Sequence, residues 1–305
     1  MTAPNNRTLT CSLAEQKVLS NKLFIPSNSI TVEDIIDQII AKNFWDVIDL
    51  LPKEFVDLLI LDLPYNLTKN YNGNIFQLKQ QDEYRSWFAS VVEVLMSTLK
   101  HTASIYVCSD WRTSTLIFPI LNKHLNVRNR ITWERDKGRG CKTNWKNNLE
   151  DIWYCTRSKD YCFNLNEVKL KRRVIAPYRF NDEPKDWQEE ATGNYRLTHP
   201  SNLWTDITVP FWSMPENTNH PTQKPEKLLA KLIMASSLPK DMVFDPFLGS
   251  GTTAIVAYKL NRHFCEIEIN KEYCCWALKR LELAKKNKTI QGYTDGVFYE
   301  RNIKL

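Results

Sequence analysis

The run Val56-Asp57-Leu58-Leu59-Ile60-Leu61 constrains this chain more than any other stretch. Only Asp57 interrupts its aliphatic character, so it reads as a strand buried on both faces, the kind found inside parallel sheets. It runs directly into Asp62-Leu63-Pro64-Tyr65-Asn66. Pro64 cannot continue a central strand, and it holds Leu63 extended or in a turn. In open parallel sheets, ligands bind in the crevice beyond the carboxyl ends of the strands. A carboxylate, backbone carbonyls left unpaired by the turn and an aromatic ring at that edge suit a planar ligand bearing an amino group. The acceptors would take its N–H bonds and the ring would cover its face. The same residues also fit a plain strand-ending turn with Asp62 as a local cap.

A second stretch, Val243 to Thr253, combines a short apolar strand with the small-residue loop Asp245-Pro246-Phe247-Leu248-Gly249-Ser250-Gly251-Thr252-Thr253 and a helical pattern through Leu260. Gly249 and Gly251 permit positive φ and let a ligand approach the backbone. The free N–H groups of the following helix favour electron-rich atoms. The helix leads to the strand His263-Phe264-Cys265-Glu266-Ile267 and then Glu268. An acid roughly 20 residues past a glycine loop is placed to grip ribose hydroxyls.

Taken together, these stretches resemble the S-adenosylmethionine-dependent amino-DNA methyltransferases, in the permuted beta group whose catalytic half precedes its cofactor half. Members carry Asp-Pro-Pro-Tyr where this chain has Asp62-Leu63-Pro64-Tyr65, and Phe-x-Gly-x-Gly where it has Phe247 to Gly251. A third family motif stands as His220-Pro221-Thr222-Gln223-Lys224-Pro225. The resemblance implies an α/β fold, a Rossmann-like doubly wound and mostly parallel sheet of the class I methyltransferase type with an inserted target-recognition region. The implied divisions are an arm over 1–30, the catalytic half over 31–162, the recognition region over 163–218 and the cofactor half over 219–305. It implies S-adenosylmethionine as cofactor, held by Asp245, Phe247, Gly249, Ser250, Gly251, Thr252, Thr253 and Glu268, with Thr222 and Lys224 at its amino-acid end.

Composition agrees with an intracellular nucleic-acid enzyme. A hydrophobic fraction of 43% supports a sizeable core, and a net charge of +6 permits a polyanionic partner. Eight cysteines with no Cys-x-x-Cys pair and no zinc spacing read as reduced thiols, and no metal site is expected. No signal peptide or membrane-spanning run is present, so a cytoplasmic protein is expected.

Along the chain, Thr31 is expected to cap a helix whose apolar face is Ile35, Ile36, Ile39 and Ile40. Asn66 to Gln81 reads as a loop that closes over substrate, and Asp82 to Lys100 as an amphipathic helix. Arg139, Lys142 and Lys146 lie in a basic, glycine-containing loop suited to phosphates. Glu150 to Cys155 reads as a strand, with Trp153 or Tyr154 as candidate walls of a base pocket. Lys169, Lys171, Arg172 and Arg173 form a basic run followed by scattered aromatics, which fits backbone clamping and base contact.

The expected reaction is methyl transfer to the exocyclic amine of a flipped base in double-stranded DNA, adenine N6 first and cytosine N4 as the alternative. Asp62 and the carbonyl of Leu63 would accept the amine N–H bonds, while Pro64 shapes the turn and Tyr65 stacks on the base. Family habit adds a homodimer and a cognate restriction endonuclease as expected partners. Competing readings are a catalytically silent relative that only binds DNA or cofactor, a methyltransferase for RNA or protein, and a dinucleotide oxidoreductase. The last leaves the Asp62 motif unexplained.

Overall fold

The computed structural model describes residues 5–135, 142–175 and 177–300. Eight strands form its central sheet: β1 (Gln38–Ile40), β2 (Val56–Leu61), β3 (Leu99–Ser109), β4 (Asn126–Glu134), β5 (Leu149–Thr156), β6 (Leu203–Trp204), β7 (Met242–Asp245) and β8 (His263–Ile267). They lie in the order β1-β8-β7-β2-β3-β5-β4-β6. Only β5 runs against its neighbours, and all other pairings are parallel. The mostly parallel, Rossmann-like sheet expected from the sequence is therefore present.

Among the described residues, seven α-helices accompany the sheet: α1 (Leu13–Ser20), α2 (Val32–Ile35), α3 (Gln81–Leu95), α4 (Trp111–His124), α5 (Glu226–Ser236), α6 (Thr252–Lys259) and α7 (Lys271–Lys286). Alternation along β2 assigns them to two faces. Leu58 and Ile60 join a core with residues of α5, α6 and α7. Leu59 and Leu61 join a second core with α3 and α4, as does Val56, which lies beyond a register shift between Val56 and Leu58. On α3, Tyr84, Phe88, Val91, Val92 and Leu95 fall on one stripe at helical spacing and are buried. Asp110 caps α4, its carboxylate accepting from Thr113 N at 2.8 Å.

Two segments differ from expectation. The helix expected through Ile40 ends at Ile35, because Asp37 takes a left-handed φ of 59° and Gln38–Ile40 becomes β1, parallel to β8. Asp37 then pairs with Phe264 in both directions, its N–H reaching Phe264 O at 2.8 Å and its Oδ1 accepting from Phe264 N at 3.2 Å. Residues 293–299, expected in the cofactor half, instead complete a second sheet with strands 170–173, 188–190 and 193–198. Phe298 pairs with Leu170 and Tyr299 with Lys171. The N-terminal segment carries α1, closed by a reciprocal Ser12–Glu15 capping box and held to α7 by Glu15–Lys279 at 2.6 Å. Among the described residues, no helix is long and apolar enough to cross a membrane.

The edge of the sheet where the site lies depends on α6 and α7 touching. Gly251 has a φ of 90°, and a β-carbon there would sit 2.4 Å from Ala277 Cβ and 2.8 Å from its Cα. Gly251→Ala is expected to lower unfolding free energy by about 2–4 kcal/mol, from left-handed strain plus overpacking against backbone. Urea denaturation without ligand measures this, and an unchanged midpoint would contradict the packing account.

Candidate active site

Because β5 is reversed, the carboxyl ends of β2, β4, β7 and β8 meet its first residues at one edge. There β2 delivers Asp62, β7 delivers Asp245, β8 delivers Glu268, β4 delivers Arg135 and β5 delivers Glu150. A cavity of about 400 Å³ opens between the β2 and β7 ends, at the crevice where such sheets bind ligands.

Asp62 lies at the centre of a buried charge cluster. Lys224 Nζ is 2.8 Å from both Asp62 oxygens, 3.0 Å from the Tyr65 hydroxyl and 3.3 Å from Glu150 Oε2. The Tyr65 hydroxyl lies 3.2 Å from Asp62 Oδ1 and 3.1 Å from Glu150 Oε2, with one proton to donate between them. Arg135 Nη1 meets the other Glu150 oxygen at 2.8 Å. Burial pushes the Asp62 carboxyl up and Lys224 opposes it, while Asp62 and Glu150 keep Lys224 firmly protonated. The Tyr65 phenol is pushed well up by burial and by the two carboxylates.

Neighbouring elements hold the motif still. Tyr84 on α3 donates to the Pro64 carbonyl at 3.0 Å. Asn66 is bonded both ways to the Lys79 backbone, closing the 66–79 excursion at its base. The Leu63 side chain is buried in the α3/α4 core, which anchors the motif from that face of the sheet. Among the described residues no donor reaches the Leu63 carbonyl.

The glycine loop forms the opposite wall. Asp245 accepts from Phe247 N at 3.0 Å and from the Thr253 hydroxyl at 2.6 Å, and burial pushes its carboxyl up to about 7. Glu268 accepts from Gly249 N at 2.9 Å and from Asn270 N at 2.7 Å, and burial likewise pushes it up to about 7. Arg280 holds the Ser250 carbonyl at 2.9 Å and the Thr252 hydroxyl at 3.1 Å. His220 packs on Gly249 and the Tyr273 ring, and burial lowers its pKa to about 3, so it is neutral. Phe247 and Phe44, with ring centroids 5.2 Å apart, form an apolar end to the cavity.

Asp62, Leu63, Pro64, Tyr65, Thr222, Lys224, Asp245, Phe247, Gly249, Ser250, Thr252, Thr253 and Glu268 all line this cavity. Gly251 lies behind it, against α7. Lys224 differs from its expected placement: its ammonium sits on Asp62, and only its carbonyl turns to the glycine loop, accepting from Thr252 Oγ1 at 3.0 Å. Lys142, Lys146, Lys169, Lys171, Arg172 and Arg173 line neither this cavity nor a smaller one behind Lys224, and Arg139 lies outside the described residues. Lys171 and Arg172 are paired with Glu190 and Glu300, each at 2.6 Å. Trp153 packs on Phe118 and Tyr154 on Tyr106, so neither reaches the cavity. Sequence reading missed Glu150, Arg135 and Tyr71. Tyr71 lines the cavity from the hairpin 69–76, which Asn72 ties to Glu272 at 2.6 Å.

With this geometry in hand, comparison with known proteins is specific. A family profile described as DNA methylase matches residues 56–279. The chain is 34% identical over 241 residues to the DNA adenine methyltransferase YhdJ of Escherichia coli (strain K12), covering 77% of this chain and 79% of that one. It is 32% identical over 248 residues to the Type II methyltransferase M.HpaI of Haemophilus parainfluenzae, covering 80% and 74%. Among solved structures, the cytosine-N4-specific PvuII DNA methyltransferase superposes with a TM-score of 0.61 at 18% identity, covering 87% of this chain and 92% of that one. The M1.HpyAVI–SAM complex superposes at 0.54 with 22% identity, covering 80% and 98%. At such identities the structural likeness establishes the fold.

Proposed function

The chain belongs to the DNA methylase family, whose members methylate exocyclic amines of DNA bases with S-adenosylmethionine, and from that premise we propose that its target is adenine N6 in double-stranded DNA. Transfer to an exocyclic amine is supported by the arrangement of Asp62, the Leu63 carbonyl, which no donor reaches among the described residues, and the Tyr65 ring on the wall of the cavity that the glycine loop closes; this geometry fits either amine. Asp at the head of the first motif is more often associated with adenine in the family, and the 34% identity to an adenine methyltransferase points the same way.

The cavity suits the cofactor by its chemistry. Its aromatic end at Phe44 and Phe247 can cover an adenine, and Glu268 can accept from ribose hydroxyls. Gly249, Ser250 and the start of α6 offer close backbone approach, with Thr222 nearby, and Asp245 holds the loop through Phe247 and Thr253. When bound, S-adenosylmethionine supplies an electrophilic methyl group. Asp62 and the Leu63 carbonyl accept the two amine N–H bonds of the base, which localises the nitrogen lone pair and aims it. Tyr65 covers the base face once it leaves the stack, and the apolar walls exclude water.

Residues 163–218 fit the recognition region, with Lys171, Arg172 and Arg173 on the strand Leu170–Arg173 and Lys169 just ahead of it as DNA contacts, together with Arg139, Lys142 and Lys146 of the preceding basic loop. We assign the remaining divisions as the arm over 1–30, the catalytic half over 31–162 and the cofactor half from 219, less the 293–299 strands. A homodimer and a cognate endonuclease stay part of the proposal, to be tested by solution mass and by the genomic neighbourhood of the coding sequence.

The test is incubation with unmethylated DNA and isotopically labelled S-adenosylmethionine, followed by nucleoside mass spectrometry. Label in N6-methyladenine is expected. Label in N4-methylcytosine would overturn the base assignment, and absence of label despite cofactor binding would overturn DNA as substrate. Glu268 gives a second expectation. Hydroxyl donors favour its carboxylate form, so cofactor affinity should fall several-fold as pH drops from about 8 to about 6, through the raised pKa near 7. Calorimetric titration should show a weaker pH dependence for Glu268→Gln, and an unchanged slope would remove Glu268 from the cofactor contacts.

A further inference from the structure

Lys224 has three N–H donors, and the cluster uses them all. Two point at the Asp62 oxygens at 2.8 Å and the third falls among the Tyr65 hydroxyl at 3.0 Å and Glu150 Oε2 at 3.3 Å. No donor is left for the carboxylate of a cofactor. Glu150 in turn is fixed from the far side by Arg135 at 2.8 Å, so both ends of the chain Arg135–Glu150–Lys224–Asp62 are defined. The lysine is 7% exposed at its side chain and Glu150 8%. Charges this buried persist only when paired, and here two cations face two carboxylates.

Resting on the function proposed above, we propose that Lys224 and Glu150 are positioning residues for the transfer step. The lysine, held by Glu150, orients both oxygens of Asp62 and keeps them as acceptors for the target amine. The cofactor's amino-acid end is left to other groups.

The physical need is clear at Asp62. Burial pushes its carboxyl up, and the Lys224 charge is the main opposing influence. Without that charge the carboxyl protonates, loses an acceptor site and stops drawing on the amine N–H. Glu150 has the opposite electrostatic sign on Asp62, which it pushes up. Its service is geometric, fixing the ammonium and one side of Tyr65. The other titratable groups around the cluster are Tyr71 from the 69–76 hairpin, Cys108 from β3, Asp245 from β7 and His220 ahead of α5. Tyr71 and Cys108 have raised pKa values and His220 a lowered one, so all three are neutral near pH 7. Of these four, only Asp245 titrates near neutrality.

The experiment compares the full chain with Lys224→Met, Lys224→Arg and Glu150→Gln. Single-turnover transfer to unmethylated DNA at saturating labelled S-adenosylmethionine is followed across pH, with cofactor affinity measured separately. Lys224→Met should lose about 100-fold or more in rate near pH 7, with cofactor affinity within about threefold of the parent. The midpoint of its acid limb should rise by about one pH unit or more. Lys224→Arg should return the midpoint toward the parent value even if the rate stays low. Glu150→Gln should be slower with its midpoint lowered, the opposite direction, because it removes a charge that pushes Asp62 up. If Lys224→Met weakens cofactor binding and keeps its rate at saturation, the lysine is a cofactor ligand and the proposal is wrong. A slower Lys224→Met with an unmoved midpoint reduces the lysine to a structural part, which also overturns it. If Lys224→Met does not fold, Glu150→Gln decides: a slower variant with a lowered midpoint and parental cofactor affinity supports the proposal, and an unmoved midpoint or a loss confined to cofactor affinity overturns it. If the parent protein transfers nothing to DNA while binding cofactor, the functional reading itself has failed and this inference falls with it.

Discussion

The pairing of β2 with β7 is the contact on which the rest of the site depends. Leu59 lies opposite Phe244 and Leu58 opposite Val243, and Met242 N donates to Asp57 Oδ2 across 185 residues of chain. This places the end of the first motif beside the end of the glycine-loop strand, so Asp62 and Asp245 reach one cavity from opposite halves of the sequence. Parallel neighbours point their carboxyl ends the same way, so the pairing fixes which residues meet as well as how closely. Pairing at such separation carries a large loop-closure cost before it is rewarded, and the two apolar cores on either face supply that reward.

Electrostatics then differentiates the acids at this edge. Asp62 has an ammonium on both oxygens, whereas Asp245 and Glu268 are served by backbone N–H groups and a hydroxyl. The first arrangement maintains charge in a desolvated place. The second leaves two carboxyls close to pH 7, where binding of hydroxyl donors can change their protonation. One sheet edge therefore carries one carboxyl held by an ammonium and two held by neutral donors. Glu266 is a different case: its two oxygens are buried without a partner among the described residues, and burial raises its pKa well above the usual range, so it is neutral.

Much of this was legible in the sequence. An aliphatic run ended by proline announces a buried strand with a site beyond it, and β2 is that strand. The helical stripe of α3 follows from a local rule that tertiary contacts did not override. Local rules failed where a distant partner decided. Ile39 and Ile40 share a helical face with Ile35 on paper, yet Asp37 turns the chain so that they pair with β8. Glu150 was hidden because strand direction is not written in residue pattern: in a reversed strand the first residues, not the last, reach the active edge. The contact of the Lys224 ammonium with Asp62 was not legible either, because its motif adjoins the glycine loop, to which its carbonyl turns. The role of residues 293–299 was equally invisible, since three-residue strands have no periodicity to read.

The central claim is that Asp62 performs the transfer while the glycine-loop side binds the cofactor. Single-turnover methyl transfer by Asp62→Ala, measured beside its affinity for S-adenosylmethionine, tests this most directly. The rate should fall about a thousandfold or more with affinity within about fivefold of the parent. A folded Asp62→Ala protein that transfers methyl groups at a near-parental rate would contradict it.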